Sequence, residues 1–557
     1  MQVKYQLSVS LIAASVAGIV SGPIAAQEPT RSTPQLEEIV VTVRKTAENL
    51  QRVPLAVTAF DQRGIEDAAI ARLEDVAAFT PGLTFSNVFG DFLPAPVIRG
   101  MAPTDIFGEN NTSIFVDGVY VSGREGLNFS QLDIERIEIV KGPQSAMYGR
   151  NSFSGAINII TGNPTDEFDG LLQAKVGNDG RFNGSATVSG PLLGDTLTGR
   201  LAVSHDEWDG SYDNANPRGN QNIGGYQYDT VQGKLAWAPA ESLDVVFAGY
   251  YSNDQIDPTA IVGIPANCED RNGVPGQPPG MRLQNYCGKF QGIDTGDIAV
   301  IPEATGEDRD VVRGSLTIDW RAGPGTLTSL TGYSSVDHKS LEDASWNQGD
   351  SYPWIYARTG GQLASFPSAV LRVDDGARTD EWSEELRWTS AQDRRVRYTG
   401  GLYYYSVERK TYEPTLIAQQ ALPADLAGLC PCIGPFFPGG PAVPIGTGAY
   451  GPWFTPNGSA GSNANQLNQT QDTNAWAVFA AIDADLTTQL TGRVELRYTD
   501  EEKKIKLPLA MESRTDRWDS WTGRASLSYQ LTDATMFYGS LARGGKAAAL
   551  IPSWTRC

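Results

Sequence analysis

The chain has 557 residues and a formal net charge of −21, from 44 basic and 65 acidic side chains, with only two histidines. The acidic balance argues against a duplex nucleic-acid partner, which requires a basic protein face. Two histidines also leave little room for a zinc site or a histidine general base. The composition therefore argues against a nucleic-acid-binding protein and against an enzyme, and we expect neither a cofactor nor a metal site.

Residues 1–26 have the features of a secretory signal peptide. Lys4 supplies a positive charge, an apolar run follows from Leu7 to Val20, and small residues precede a cleavage site before Gln27. A helical membrane anchor is the alternative, but roughly 14 apolar residues fall short of the ~20 that cross a bilayer. The pattern therefore predicts an exported protein.

The cysteines fit an exported chain. Cys268 and Cys287 enclose a polar segment rich in glycine and proline, and we expect a disulfide between them in an oxidising compartment. Cys430 and Cys432 are a second candidate pair, although so small a ring is strained. A metal site is the alternative for these four, but no histidine lies near them.

Residues 27–46 form a polar tether that carries a short β-branched segment, 36–45. Two interpretations of this segment are equally supported by its composition. It is either an unpaired strand that adds to the sheet edge of another protein, or the first strand of the domain that follows.

Residues 47–165 are predicted to form a small mixed α and β domain. Apolar residues at helical spacing predict a helical run over 61–80. Asp117-Gly118 between two apolar runs predicts a hairpin, and residues 134–140 and 156–161 are further strands.

From residue 168 onward the chain changes to long strands with alternating side chains. In residues 490–499, Val494 and Leu496 share one face, whereas Arg493 and Glu495 share the other. A soluble sandwich would bury the apolar face, and a transmembrane barrel would turn that face toward lipid. The alternation alone leaves both open.

The connections favour the transmembrane barrel, because short turns alternate with long loops as they do in outer-membrane barrels. The predicted short turns are 190–196, 239–243, 322–325, 390–394, 485–489 and 532–534, and the predicted long loops are 207–224, 254–308, 339–378, 409–471 and 500–518. Aromatic residues near strand ends suggest interfacial girdles. They are Trp208, Tyr250, Tyr251, Trp382, Trp388, Tyr403, Tyr404, Tyr405, Trp518 and Trp521.

Several motifs resemble those of one family, the TonB-dependent outer-membrane receptors. The segment Glu38, Ile39, Val40, Val41, Thr42 and Val43 resembles the TonB box. Residues 96–100, with Arg99 and Gly100, and residues 134–151, with Glu135, Arg136, Lys141, Gly142, Pro143, Tyr148, Gly149 and Arg150, resemble plug motifs. Residues 383–387, with Glu385 and Arg387, resemble a barrel strand motif.

The resemblance implies a plugged barrel in the outer membrane that imports a scarce solute, most often a ferric siderophore. The energy would come from TonB and its inner-membrane complex, without covalent chemistry. The implied domains are a periplasmic tether with the TonB box (27–46), a plug (47–165) and a barrel (168–557). Receptors of the same architecture for cobalamin, haem or oligosaccharides are alternatives.

Charged side chains are expected to lock the plug to the barrel. Buried charges must be paired, and a seal that reopens favours polar contacts. We therefore expect some of Arg99, Arg136 and Arg150 to pair with inward carboxylates such as Glu385, while Gly142 and Gly149 serve turns and close approaches.

The fold class expected is mainly β: an α+β plug followed by an incomplete transmembrane antiparallel barrel. About 13 strands are counted where plugged transporters have about 22, which predicts a truncated chain. A passive porin and a surface adhesin are the rival functions, and a barrel hydrolase is the enzymatic one. Neither His205 nor His338 has a recognisable nucleophile nearby in sequence.

Overall fold

The computed structural model contains a small mixed domain followed by one large antiparallel sheet. It describes residues 39–545 except for 71, 87–94, 103–108, 124–125, 127–132, 217–222, 262–287, 290–297, 303, 344–350, 353–365, 368–370, 419–431, 434–442, 445–468, 508–511 and 533–534. The predicted signal peptide, Glu38 and the predicted disulfide between Cys268 and Cys287 lie outside the described residues, as does Cys430.

The small domain, called the N-terminal domain here, consists of short elements. They are β1 (Val40–Val41), β2 (Glu48–Asn49), β3 (Ala56–Asp61), α1 (Gln62–Asp67), β4 (Leu83–Ser86), β5 (Ala95–Ile98), β6 (Thr112–Val116), β7 (Val119–Val121), β8 (Ile134–Lys141), α2 (Ser145–Tyr148) and β9 (Gly155–Thr161), with 3-10 helices at Leu50–Arg52 and Leu73–Phe79. Five strands form a sheet in the order β3-β8-β9-β6-β7, in which β6 and β9 are parallel. Its core includes Ile98, Ile139 and Ile157.

The hairpin predicted at Asp117-Gly118 is confirmed. These two residues join β6 to β7 and have φ angles of 48° and 82°. Positive φ at both central positions is the signature of the type I′ turn, whose twist matches that of paired strands.

The single helical run predicted over 61–80 is wrong. Helix α1 ends at Asp67, and Ala69 has a φ of 51°, which a right-handed helix does not allow. A separate 3-10 helix then begins after Arg72, whose backbone N–H donates to the Asp75 carboxylate at 2.8 Å. The helical spacing of the apolar residues therefore continues across a point where the helix itself is interrupted.

The large sheet contains thirteen long strands among the described residues. They are β10 (Asp169–Val176), β11 (Phe182–Leu193), β12 (Leu197–Trp208), β13 (Tyr226–Ala240), β14 (Leu243–Ile256), β15 (Gly306–Ala322), β16 (Gly325–Asp343), β19 (Leu371–Ser390), β20 (Val396–Ala418), β23 (Gln469–Asp485), β24 (Leu490–Leu507), β25 (Glu512–Thr532) and β26 (Thr535–Arg543), and the two-residue strands β17 (Ser351–Tyr352), β18 (Phe366–Pro367), β21 (Cys432–Ile433) and β22 (Val443–Pro444) pair outside it. The thirteen follow chain order, each antiparallel to the next, and β10 and β26 are the edges of the described sheet.

Short and long connections alternate along most of this sheet, as the sequence predicts. One exception is the β10–β11 connection, 177–181, and another is the loop predicted at 500–518, which is wrong. Strand β24 runs on to Leu507 and β25 starts at Glu512, because the alternation continues and buries Lys503 and Ile505 on the inner face. Charged residues thus belong to strands that extend beyond the apolar band.

The large sheet is polar on its inner face, which contacts the N-terminal domain, and apolar on its outer face. On β24, the outward Val494 and Leu496 are 51% and 53% exposed. The intervening Glu495 and its neighbour Arg497 are 1% and 2% exposed. A sheet whose outer face met water would expose its polar side chains and bury its apolar ones. Apolar side chains on the outside are expected where that face meets hydrocarbon.

A row of aromatic residues borders the apolar face on the long-loop side. Trp382 contacts Tyr404 with ring centroids 5.7 Å apart, and the row continues through Trp476, Tyr498 and Trp521 on the next strands. Such rows mark the membrane–water interface of outer-membrane barrels.

Five of the aromatic residues predicted for the girdle lie on the inner side of their strands. Trp208 shares its side of β12 with the buried Asp206, and Trp518 is paired in register with the buried Glu501. Tyr403 and Tyr405 flank the outward Tyr404 and therefore face inward, where Arg497 and Arg150 lie over their rings. Tyr250 also faces inward, beside Arg313. Consecutive residues of a strand cannot share a face, which the sequence prediction had ignored.

No helix among the described residues is long and apolar enough to cross a membrane.

The outward face of β24 provides a test of this orientation. Val494→Arg places a charge at the centre of the apolar band and should cost about 2–4 kcal/mol of folding free energy in a bilayer. An arginine introduced on the same face beyond the aromatic row, by Glu502→Arg, should cost about 0–1 kcal/mol. Urea titration of the protein in lipid vesicles measures both, and equal costs would contradict a lipid-facing surface.

Candidate functional site

The segment that resembles a TonB box is docked in this structure. Its Val40 and Val41 pair with Glu48 and Asn49 as the two-residue ladder β1–β2, and Val41 is buried, as is Val43. The sequence suggested a strand without a hairpin partner. The structure instead gives it a local partner, although one that contributes only a very short ladder.

A buried carboxylate on β8 anchors the same segment. The Thr42 backbone N–H donates to Glu138 at 2.8 Å, and Glu138 also accepts from Arg136 Nε at 2.8 Å and from Asn158 Nδ2 at 3.1 Å. Because hydrogen bonds to an ionised acceptor are stronger than neutral ones, these contacts fix Thr42 against the domain.

The residues that follow attach the segment to the large sheet. Lys45 pairs with Glu385, which also accepts from Arg387, and Arg44 lies 3.2 Å from Asp483. Burial lowers the pKa of Lys45 to about 8, and the nearby Glu385 limits the shift. Asp483 and Glu385 stand close to the short turns of their strands, so the segment docks at the short-turn end of the sheet.

A second ionic cluster joins Arg150 to the inner face toward the other end of the sheet, away from the short turns. Arg150 lies 2.9 Å from Glu109 within its own domain and 3.5 Å from Glu501 on β24. Lys503, also on β24, donates to Glu109 at 2.6 Å. Burial opposes ionisation of Glu109, but Arg150 and Lys503 outweigh it and hold the pKa of that carboxyl well below its usual range.

Further polar contacts continue around the inner face. Arg524 donates to Gln144 of the N-terminal domain and to Glu495, both at 2.7 Å. On other strands, Arg200 donates to Asp133 at 2.8 Å and Lys234 lies 3.3 Å from Asp117. The Ser122 backbone N–H donates to Glu381 at 3.2 Å. The contact between domain and sheet therefore combines ion pairs and hydrogen bonds with two apolar clusters, in which Phe115 and Tyr120 pack with Tyr405, and Met147 packs with Phe479.

The three arginines of the plug-like motifs have different surroundings. Arg150 alone of the three has a carboxylate partner on the sheet among the described residues. Arg136 pairs with Glu135 and Glu138 inside its own domain. Arg99 is exposed in the turn after β5, next to Gly100.

The expected pairing of these arginines with Glu385 is not found. Glu385 pairs instead with Lys45, a residue that no motif singled out. Period-two spacing placed Glu385 and Arg387 on the inner face, but it carries no information about which part of the N-terminal domain lies opposite.

The remaining motif residues shape the domain around these contacts. Lys141 donates to Thr58 Oγ1 at 3.2 Å, and Gly142 has a φ of 101° beside Pro143. Tyr148 stacks edge-on against Phe115, with centroids 5.1 Å apart.

Gly149 permits a close approach to the sheet. It has a φ of 83°, and a Cβ there would lie 2.8 Å from Arg497 Nη2. A side chain at this position would therefore be both strained and in contact with the sheet.

Two family models match this chain. The TonB-dependent receptor plug domain matches residues 49–156, and the TonB-dependent receptor-like β-barrel matches residues 302–555, so that together they cover more than half of the sequence. The chain belongs to the TonB-dependent receptors. It is therefore an outer-membrane protein of a family of receptors and transporters rather than enzymes. The N-terminal domain is its plug, and the large sheet is barrel wall.

Curated relatives match over part of their length. The pesticin receptor of Yersinia pestis is 23% identical over 39% of this chain and 32% of its own length. The vitamin B12 transporter BtuB of Vibrio vulnificus is 28% identical over 34% of this chain and 30% of its own. The matched region thus spans about a third of each relative.

Solved structures share the fold over a greater length. The ferric yersiniabactin uptake receptor FyuA of Yersinia pestis has a TM-score of 0.64 at 19% identity, covering 90% of this chain and 66% of that one. The ferric-catecholate import receptor Fiu of E. coli K12 has a TM-score of 0.63 at 15% identity, with 90% and 71% coverage.

The Arg150 cluster predicts a local weakening of the plug. Arg150→Met leaves Glu109 and Glu501 with less compensation, and removing one partner of a buried ion pair costs about 3–5 kcal/mol. Amide hydrogen exchange across residues 145–155 should accelerate accordingly. The exposed Arg99→Met is the matched control and should change opening by less than about 0.5 kcal/mol. Unchanged protection in Arg150→Met would show that the cluster does not hold the plug.

Proposed function

We propose that this receptor imports a scarce solute with energy delivered by TonB, and that this solute is a ferric siderophore. The observation that carries the proposal is the docked segment Val40–Val43. It lies at the short-turn end of the sheet, bound to a plug that packs against the inner face. Short turns of outer-membrane barrels face the periplasm. A periplasmic partner would therefore meet this segment first.

The preference for a ferric siderophore comes from the relatives. FyuA and Fiu are described as receptors for ferric yersiniabactin and for ferric catecholates. The vitamin B12 transporter makes cobalamin the second candidate. Haem and oligosaccharides fit the same architecture, but none of the relatives named above is described as binding them.

The contacts of the segment suggest how it would be handed to TonB. A two-residue ladder holds Val40 and Val41, and an incoming strand can replace it by pairing edge to edge. Thr42 would then leave Glu138, and Lys45 would leave Glu385. Force on the segment would thus reach the plug through β8 and the wall through β19.

The ion pairs and hydrogen bonds of the plug–wall interface suit a plug that must move. Ion pairs and hydrogen bonds exchange partners with water when the interface opens, whereas an apolar interface would expose hydrophobic surface. In the proposed cycle, the solute binds on the long-loop side, the segment is released on the opposite side, and pulling remodels the plug.

Deleting residues 37–43 tests this division of labour. Cells grown under iron limitation should still bind ⁵⁵Fe-yersiniabactin or a ⁵⁵Fe-catecholate at the surface, but energised accumulation should be abolished. Deletion of residues 29–35, which has the same length and spares the segment, should leave accumulation intact. Parallel assays with ⁵⁷Co-labelled vitamin B12 separate the two solute classes.

Two outcomes would contradict the proposal. Loss of surface binding in the 37–43 deletion would show that the segment serves the solute site. Accumulation that persists in the same deletion, or without the proton-motive force, would indicate a passive porin.

A further inference from the structure

A small cavity lies between the β6–β7 hairpin of the plug and the wall strands β13–β16. Its volume is ≈ 40 Å³, and its lining includes Val119, Tyr250, Arg313 and Ser334. One water requires about 10–15 Å³ of such space, so the cavity has room for a few waters or one small anion. It lies apart from both ionic clusters that hold the plug.

Arg313 is the cation of this cavity. Its Nη2 donates to the backbone carbonyl of Gly126 in the plug, and its guanidinium carbon lies 5.5 Å from the centre of the Tyr250 ring. Its Nε and Nη1 are buried and have no hydrogen-bond partner in the described part of the chain. Among the described residues, no carboxylate lies within ion-pair distance of it, and the buried Glu381 and Asp254 act on its charge from farther away.

Ser334 lies next to Arg313 and also carries an unpaired hydrogen-bonding group. The two residues are paired in register across β15 and β16, so their side chains share the inner face. Ser334 is 2% exposed, and none of the residues that the structure describes forms a hydrogen bond with its Oγ. Two adjacent strands therefore place a guanidinium and a hydroxyl, each with buried unpaired donors, in the lining of one cavity.

The neighbouring cation of the interface is already compensated. Lys234 lies 3.3 Å from Asp117 and donates to the Thr161 carbonyl at 3.0 Å. Asp117, which also lines the cavity, accepts from Thr161 N at 2.9 Å and Thr161 Oγ1 at 2.6 Å. The Asp117 carboxylate is therefore engaged elsewhere, and its presence does not supply Arg313 with a hydrogen-bonded partner.

We propose that Arg313 and Ser334 form a binding site for a small oxyanion, such as the carboxylate of a solute. Buried donors of a guanidinium and a hydroxyl are costly without a partner, and an anion satisfies them at once. The guanidinium supplies the charge, and the Ser334 hydroxyl adds a neutral donor beside it. Tyr250 provides one wall of the site.

The site has a place in transport if the proposed function holds. It lies where the plug hairpin meets the wall, so an anionic group that entered this gap would exchange water for Arg313 and Ser334. Binding there would favour states in which hairpin and wall separate enough to admit a solute. This use rests on the proposed import, whereas the binding of a small anion does not.

Bromide is a suitable probe, because anomalous diffraction locates it directly. Crystals of the receptor are soaked in a series of sodium bromide concentrations, with a parallel series containing sodium acetate. We expect an anomalous peak within hydrogen-bond distance of Arg313 and Ser334, displaced by acetate. Arg309, which pairs with Asp254 at 2.7 Å, is the internal control and should show none.

Variants separate the contributions of the two residues. Arg313→Gln should weaken bromide binding at least tenfold, Arg313→Lys should retain part of it, and Ser334→Ala should weaken it a few-fold. Absence of the peak in the unmodified receptor, or equal occupancy in Arg313→Gln, would overturn the proposal. The soak requires no energised uptake, so its failure leaves the proposed import standing, and failure of import leaves the anion site standing.

Discussion

The contact of apolar side chains with hydrocarbon on one face of the large sheet governs the rest of this structure. Lipid cannot hydrogen-bond or solvate charges, so most charged side chains of the wall point to the inner face or lie beyond the apolar band. Glu495 and Arg497 are buried for this reason, while Val494 is exposed. Glu384, on the outward face beside the aromatic row, is instead held by hydrogen bonds from Ser329 and Thr331. The wall thus presents a charged surface that a folded domain must match.

The plug matches this surface with charges of its own. Arg150 meets Glu501, Lys45 meets Glu385 and Asp133 meets Arg200, so that both sides contribute both signs. Such pairs compensate one another's burial but contribute little net stability compared with a hydrophobic interface. The plug keeps its own core, which includes Ile139 and Ile157, and can therefore remain folded when contacts with the wall are exchanged.

Features with local causes could be predicted from the sequence. The type I′ hairpin follows from Asp117-Gly118, and the inward face of β24 follows from strict alternation. Prediction failed where the apolar spacing did not match the backbone conformation and where residue composition did not match the strand ends. Helical spacing hid the break at Ala69, and the polar composition of 500–518 concealed strands that continue above the membrane.

Partners across the interface could not be predicted, because they depend on how two separately folded parts are placed. The motifs drew attention to Arg99 and Arg136, yet Lys45 and Glu109 make the contacts that link regions far apart in the chain. Arg313 and Ser334 carry no motif at all. Their shared register across β15 and β16 becomes visible only once the strands are paired.

The orientation of the wall can be measured most directly at two adjacent alanines of β23. Ala480 is exposed on the outer face and Ala481 is buried on the inner face. In a receptor whose native cysteines are replaced by serine, each alanine is changed to cysteine, labelled with bimane and reconstituted in lipid with nitroxide-bearing acyl chains. Strong quenching at position 480 and weak quenching at 481 is the result expected, and equal or reversed quenching would contradict a hydrocarbon-facing apolar surface.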